Sequence, residues 1–352
     1  MKRRISALLA AVLVVGSLAT ACGGAGGNAG GEVKVGLGLH TDYSYSSKDF
    51  SEEGDGKAQT DLHIAAVKVD ADGKIVDVVV DAMQLSVTFD GTGAITSDPV
   101  AKFQTKRELG DAYGMKGVSA SIGAIEGGAE WYDQANAFEQ YCIGKTADEV
   151  AAGVNAEGYP TDETLLTGCT MKVNGMAAAV VKACNDANAG KASANDTLSL
   201  GVVGELTDGK SKNAAENEGT GTAQAYANFV AVTADADGKI TCAVLDSVQG
   251  NMAWTSEGKL DFNTTEDTTT KYDLKEAYGM KGVSASNGVI AEGGEWYEQA
   301  DAFMAHVVGK TAADVAAIAM DESGYPTDET LRTGCTMKVK AYVEAVTKAL
   351  AK

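Results

Sequence analysis

YPTDETLLTGCTMKV at residues 159–173 returns as YPTDETLRTGCTMKV at 325–339, with Leu166 against Arg332 the one position that differs. The agreement extends upstream. Lys106 to Val150 and Lys271 to Val315 share AYGMKGVSAS, EWY, QA, AF and GKTA at a constant offset of 165, which rises to 166 near the end. DADGKI stands at 70–75 and again at 235–240. A period this long describes whole folding units rather than the small units of a solenoid. The chain is therefore expected to hold two tandem homologous domains, 33–190 and 191–352. The division falls in the small, polar stretch NDANAGKASAND at 185–196. Each half is expected to fold alone.

Each copy reads as strands first and helices later. Asp61 to Val69 predicts a strand, Asp70-Ala71-Asp72-Gly73 a tight turn, and Lys74 to Asp81 the returning strand. Leu85 to Phe89 and Ala94 to Thr96 predict a second hairpin around Asp90-Gly91-Thr92-Gly93. Trp131, Ala135, Phe138 and Cys142 fall on one helical face, as do Trp296, Ala300, Phe303 and Val307. Thr146 with Glu149, and Thr311 with Asp314, are capping-box signals for a following helix. Met171-Lys172-Val173 reads as β-prone, and Met176 to Ala187 and Ala341 to Ala351 as closing helices. The fold class is α+β, with a small, mostly antiparallel sheet in each copy and helices packed on one side.

The N-terminal residues read as an export signal. Lys2, Arg3 and Arg4 precede an apolar run from Ile5 to Val15 that is too short to span a bilayer. Leu18-Ala19-Thr20-Ala21 before Cys22 resembles the bacterial lipobox, with the leucine one place early. The resemblance implies a signal peptide at 1–21, a lipid on Cys22 and a glycine-rich tether at 22–32. The mature chain would sit on the outer, extracytoplasmic face of the cell membrane, held by the lipid alone. The full sequence's formal net charge of −20, more negative still once the three basic residues of the leader are removed, leaves no basic footprint for a nucleic-acid partner. Beyond Cys22 the cysteines are Cys142, Cys169, Cys184, Cys242 and Cys335, an odd set that closes no disulfide framework.

The element that draws chemistry is Thr167-Gly168-Cys169-Thr170 with its twin Thr333-Gly334-Cys335-Thr336. A Thr-Gly turn opening toward a helix could present backbone amides to a phosphate. A DGKI hairpin, a Trp-bearing helix, an aspartate and then such a turn before a last helix resemble the FMN-binding domain of respiratory sodium pumps and Gram-positive surface flavoproteins. The repeats also resemble small lipoproteins of anaerobic Firmicutes. In the FMN-binding family the last threonine of the turn bears FMN through a phosphoester added by a flavin transferase. The resemblance thus implies Thr170 and Thr336 as acceptors, with Thr167, Gly168, Thr333 and Gly334 shaping the turn. Cys169 and Cys335 stand where the family has alanine, and Asp162 lies five rather than three residues before Thr167.

Other motifs give less. Asp70-Ala71-Asp72-Gly73 fits no calcium-loop register, so a turn is expected. His40, His63 and His306 have no repeated partner, which argues against metal ligation or general-base work. Lys116 and Lys281, in the shared Tyr-Gly-Met-Lys-Gly loop, could meet an anion. No nucleophile, base and acid fall into a recognisable set, so the chain reads as a carrier or binding protein rather than an enzyme. Two functions fit: a covalent-FMN electron carrier serving a redox partner, or a cofactor-free lipoprotein that binds a small molecule or a partner surface.

Overall fold

Strand β2 (Gly56–Val69) is buried on both faces, and this sets the layering. Side chains alternate across a strand. Leu62, Ile64 and Ala66 point into one apolar core, while Ala65, Val67 and Val69 point into another. The first core lies between two sheets and the second lies between a sheet and its helices. The computed structural model describes residues 31–351 apart from 44–46, 187, 208 and 263–266. The signal sequence, Cys22 and most of the tether lie outside the described residues.

The first sheet is antiparallel in the order β3-β2-β1-β5, from β1 (Glu32–Asp42), β2, β3 (Ile75–Phe89) and β5 (Gly190–Ser193). Between β3 and β5 come β4 (Lys102–Phe103), α1 (Lys106–Leu109), α2 (Met115–Ile122), α3 (Trp131–Cys142), α4 (Ala147–Ala152), α5 (Glu163–Leu166) and α6 (Asn174–Asn185). The second sheet is also antiparallel, in the order β4-β6-β7-β8, from β6 (Thr197–Leu206), β7 (Thr220–Ala234) and β8 (Ile240–Thr255). It is followed by α7 (Lys271–Leu274), α8 (Lys281–Ser286), α9 (Trp296–Val307), α10 (Ala312–Ala316), α11 (Glu329–Arg332) and α12 (Lys340–Leu350). The fold is thus mixed α and β, with two antiparallel sheets back to back and a helical layer outside each.

The inner core joins both halves. Leu62, Ile64, Met83 and Leu85 from the first sheet meet Leu200, Val202, Phe229 and Val248 from the second in one continuous cluster. Phe89 and Trp254, at the ends of β3 and β8, stack with centroids 4.8 Å apart and planes 3° from parallel. Trp254 Nε1 donates to the carbonyl of Gly93 at 3.0 Å, so even the indole N–H is satisfied across the halves. The outer cores use the helical faces expected from the sequence. Trp131, Ala135, Phe138 and Cys142 are buried, as are Trp296, Ala300, Phe303 and Val307.

The halves also exchange short segments. β4 leaves the first half and pairs with β6, setting Lys102 against Glu205 and Phe103 against Gly204. Asp267 and Thr268, 165 residues later, reach back to β1. Thr41 donates to Asp267 Oδ1 from its amide and its hydroxyl, both at 2.8 Å, and Thr268 N donates to Thr41 Oγ1 at 2.7 Å. Lys182 and His40 also bind the Asp267 carboxyl. Partial burial pushes that carboxyl up, but the hydrogen bonds from His40, Lys182 and Thr41 outweigh it and hold the group well below the usual carboxylate range.

Several sequence expectations need adjustment. The first strand of each sheet, β1 or β6, was not anticipated. Each carries glycine where the closing helix lies on the strand: a Cβ at Gly36 would stand 1.9 Å from Ala183 O, and one at Gly201 1.9 Å from Ala345 O. β3 runs unbroken through the two segments read as separate strands, and Ile95 makes only an isolated bridge to Phe89. Met115 to Ile122 is a helix, not a loop, and Met171-Lys172-Val173 is irregular rather than β. β5 straddles the 190/191 division and pairs with β1. Both DADG segments are hairpin turns, with Asp70 Oδ1 accepting from the amides of Asp72 and Lys74, and Asp235 Oδ1 from those of Asp237 and Lys239. The capping boxes at Thr146 and Thr311 are formed as expected. Among the described residues no helix is long and apolar enough to cross a membrane.

Candidate functional site

The two TGCT turns are built alike. Asp162 caps α5 by accepting from the amides of Thr164 and Leu165, and Asp328 caps α11 by accepting from Leu331. At the far ends the Thr167 and Thr333 hydroxyls donate to the carbonyls of Thr164 and Thr330, at 2.7 and 2.8 Å. These two threonines therefore close their helices. Gly168 and Gly334 let the turn lie on the Trp helix, since a Cβ would come within 2.9 Å of Ala137 Cβ or 2.7 Å of Ala302 Cβ. Cys169 and Cys335 are wholly buried, and burial pushes each thiol up to about 12, so neither is reactive at neutral pH.

Thr170 and Thr336 face a different neighbour, a buried glutamine one turn into the Trp helix. Gln134 Oε1 accepts from Thr170 N at 2.9 Å, Thr170 Oγ1 at 3.3 Å and Met171 N at 3.1 Å. Gln299 Oε1 accepts from Thr336 N at 2.8 Å and Oγ1 at 3.1 Å. Each amide group is oriented by donating back to a carbonyl, Ala129 O or Gly294 O. The amides of Gly168 and Cys169 in turn donate to Leu165 O. The expected cradle of free amides for a phosphate is thus engaged within the protein. The hydroxyl of each last threonine donates to the same glutamine as its amide and keeps its oxygen lone pairs.

In the second half Thr336 lines a cavity of about 620 Å³. The chamber mixes aromatic side chains with four lysines and two carboxylates, Glu205 and Glu344. Tyr278, Trp296 and Tyr325 line it beside Thr336, and Lys102, Lys338 and Lys340 lie around it. Lys102 arrives from the first half on β4, so the exchange of segments completes the chamber. Lys271 also borders it, with 5% of its surface exposed. Its Nζ donates to Tyr226 Oη at 3.2 Å and lies 4.5 Å from the centre of the Tyr226 ring, 4.7 Å from that of Tyr278 and 5.8 Å from that of Trp296. Burial lowers this amine to about 7, while the nearby Asp246 carboxylate acts in the opposite direction. The ring faces also favour the charged form. The first-half counterpart, Lys106, lies 4.7 Å from the centre of the Tyr113 ring and 5.6 Å from that of Trp131.

Comparison with known proteins adds one short relationship. A stretch of 62 residues, 16% of this chain, is 44% identical to the chlorophenol reductase of Desulfitobacterium hafniense. It covers 17% of that protein's length, so the likeness is to a small part of it. No family model matches the chain, and no solved structure matches it.

Five residues of the site were missed from the sequence: the pairs Gln134 with Gln299 and Lys106 with Lys271, and Tyr226. The first two pairs carried a signal, because they recur within the shared blocks. Tyr226 carried none, since its counterpart is Asp61. The lysines that were singled out, Lys116 and Lys281, are exposed on α2 and α8 and do not line the cavity. His63 is partly buried beneath Gly175, where a Cβ would lie 2.4 Å from its ring, and loss of solvent pushes its pKa down to about 3. Among the described residues no group of three His, Cys, Asp or Glu side chains could hold a metal ion.

Proposed function

We propose that this chain is a lipid-anchored extracytoplasmic protein of two homologous repeat domains, which carries FMN at its TGCT turn and passes electrons to a redox partner. The observation that carries this is Thr336 in the wall of a chamber of about 620 Å³ rich in aromatic side chains and lysines. A planar, apolar ring bearing an anionic tail suits such a mixture. Thr336 would be the ester position, with Tyr278, Trp296 and Tyr325 offering ring contacts and Lys338 and Lys340 offset charge. Bound there, flavin would supply one- and two-electron transfer, and the protein's share is to hold it and exclude water. The partial likeness to a protein named a reductase accords with a redox role. The anchor rests on Cys22 and the leader before it. Replacing Cys22 by Ser should release the chain from the membrane or leave it unprocessed, and normal membrane fractionation of that variant would sink the anchor.

A second function, binding without a cofactor, is favoured by the turn amides that are already engaged by Gln134, Gln299 and Leu165. The two separate in one preparation. Protein made together with a flavin transferase should be yellow, stay yellow after acid denaturation and carry the FMN mass. Colourless protein with the mass of the bare lipidated chain would leave the cofactor-free function standing.

A further inference from the structure

We infer that only the second half takes the anionic aromatic ligand, and that the first half is its unloaded structural counterpart. This rests on the flavin proposal above and narrows it. The two turns match so closely that sequence alone suggests two equal sites. The residues around them do not match, and the balance of the differences favours an anion in the second half, although Glu344 replaces Ala178 and Asp321 replaces Asn155 there.

Charge changes first. The one difference in the fifteen-residue segment puts Arg332 where the first half has Leu166. Arg332 borders a second hollow of about 430 Å³, which shares Asn287, Tyr325 and Thr336 with the main chamber. Thr336 therefore stands between the two, where the anionic end of a ligand would be tied. Lys340 replaces Asn174 at the start of the closing helix. Lys102 corresponds to Asp267, whose carboxylate is taken up by Thr41, His40 and Lys182. These three differences outweigh those that add an acid, among them Glu344 for Ala178, 4.0 Å from Lys102, and Asp321 for Asn155, so the second site is the more positive on balance.

Ring surface changes with it. Tyr226 and Tyr342 line the second chamber, and their counterparts are Asp61 and Met176. Asp61 is a buried carboxylate that accepts from Gln59 Nε2 at 3.0 Å and Gln84 Nε2 at 2.7 Å. A carboxylate in that place repels a ligand anion and offers no aromatic face, whereas Tyr226 packs against Lys271 and lengthens the aromatic wall.

The test uses the full chain made together with a flavin transferase, read by intact mass and peptide mapping. One FMN on Thr336 is expected. Thr336→Ala should remove it and Thr336→Ser, which keeps the hydroxyl, should retain it. The paired change Arg332→Leu with Lys340→Asn, which installs the first half's residues, should slow loading about tenfold with the circular dichroism spectrum unchanged. Two FMN per chain, or one on Thr170, overturns the inference and leaves the flavin proposal intact. Undiminished loading of the paired variant overturns charge as the selector. No FMN at all overturns both.

Discussion

Cutting the chain between residues 195 and 196 should leave two halves that do not fold separately, despite the repeat. The inner core is the reason. In each half, ten of its buried side chains are larger than alanine, among them Leu62, Ile64 and Phe89 on one side and Leu200, Phe229 and Trp254 on the other. Fully exposing such a side chain costs about 1.5–3 kcal/mol. Neighbours on an open sheet face would still cover part of each, so about 1–1.5 kcal/mol apiece is a fair figure, or about 10–15 kcal/mol per half. That equals or exceeds the whole stability of an ordinary domain, about 5–15 kcal/mol. The second half also loses β4, and the first loses the ties from Asp267 and Thr268 to Thr41. Each half alone should therefore aggregate, self-associate or lack a cooperative transition, and equimolar co-refolding should restore one. The assay is urea unfolding followed by tryptophan fluorescence, with sedimentation to establish mass. A half that is monomeric and unfolds cooperatively near the midpoint of the intact chain would refute the shared core as the main source of stability.

Trp254→Ala should cost about 3–5 kcal/mol in the same unfolding assay, and its pairing with Phe89→Ala should be non-additive because the rings stack. Gly201→Ala should cost more than about 2 kcal/mol, since its Cβ would meet Ala345 O at 1.9 Å with helix backbone that cannot retreat; a neutral result would contradict the close approach. Gln299→Ala should cost about 2–3 kcal/mol by stranding the Thr336 amide and Gly294 carbonyl, and it should loosen Thr336 enough to lower flavin loading. For Lys271 the folded-state pKa, about 7, lies below the ordinary 10.5. The unfolded chain thus binds more protons between those values, and stability should rise from pH 7 to pH 9. Lys271→Met should flatten that rise, and an unchanged slope would show that another group sets it.

How much of this was legible depended on whether the relevant physics was local. The Trp-helix faces and the capping boxes were readable because side chains three and four residues apart decide them. The DADG turns were readable because Asp and Gly fix their own backbone. β1 was not, because Gly36 and Gly38 answer to carbonyls of Ala183 and Ala179, roughly 140 residues away. The doubly buried strands did carry a trace of the layering. Ala65-Ala66-Val67 and Phe229-Val230-Ala231 are apolar at every position, where a sheet with one wet face would alternate. That continuity calls for a second apolar layer on each sheet without saying what supplies it.

The site follows the same division. The TGCT turns could be found from their repetition, and so could the glutamines that hold them, because both sit in segments that the two halves keep in common. Repetition could not show that Lys102 on β4 reaches the second chamber, since its counterpart Asp267 is turned to a different use. Nor could it show that Tyr226 and Tyr342 lengthen an aromatic wall that Asp61 and Met176 do not. Shared residues describe the scaffold that both halves need, namely caps, turns and glutamine props. The differing residues gather around Thr336, where Lys102, Arg332 and Lys340 outweigh the added acids Glu344 and Asp321 in charge and Tyr226 and Tyr342 lengthen the aromatic wall. In a duplicated chain, shared burial and shared hydrogen bonds therefore locate the frame. Differences that converge on one cavity, and on balance add positive charge and ring surface to it, mark where the two halves have diverged.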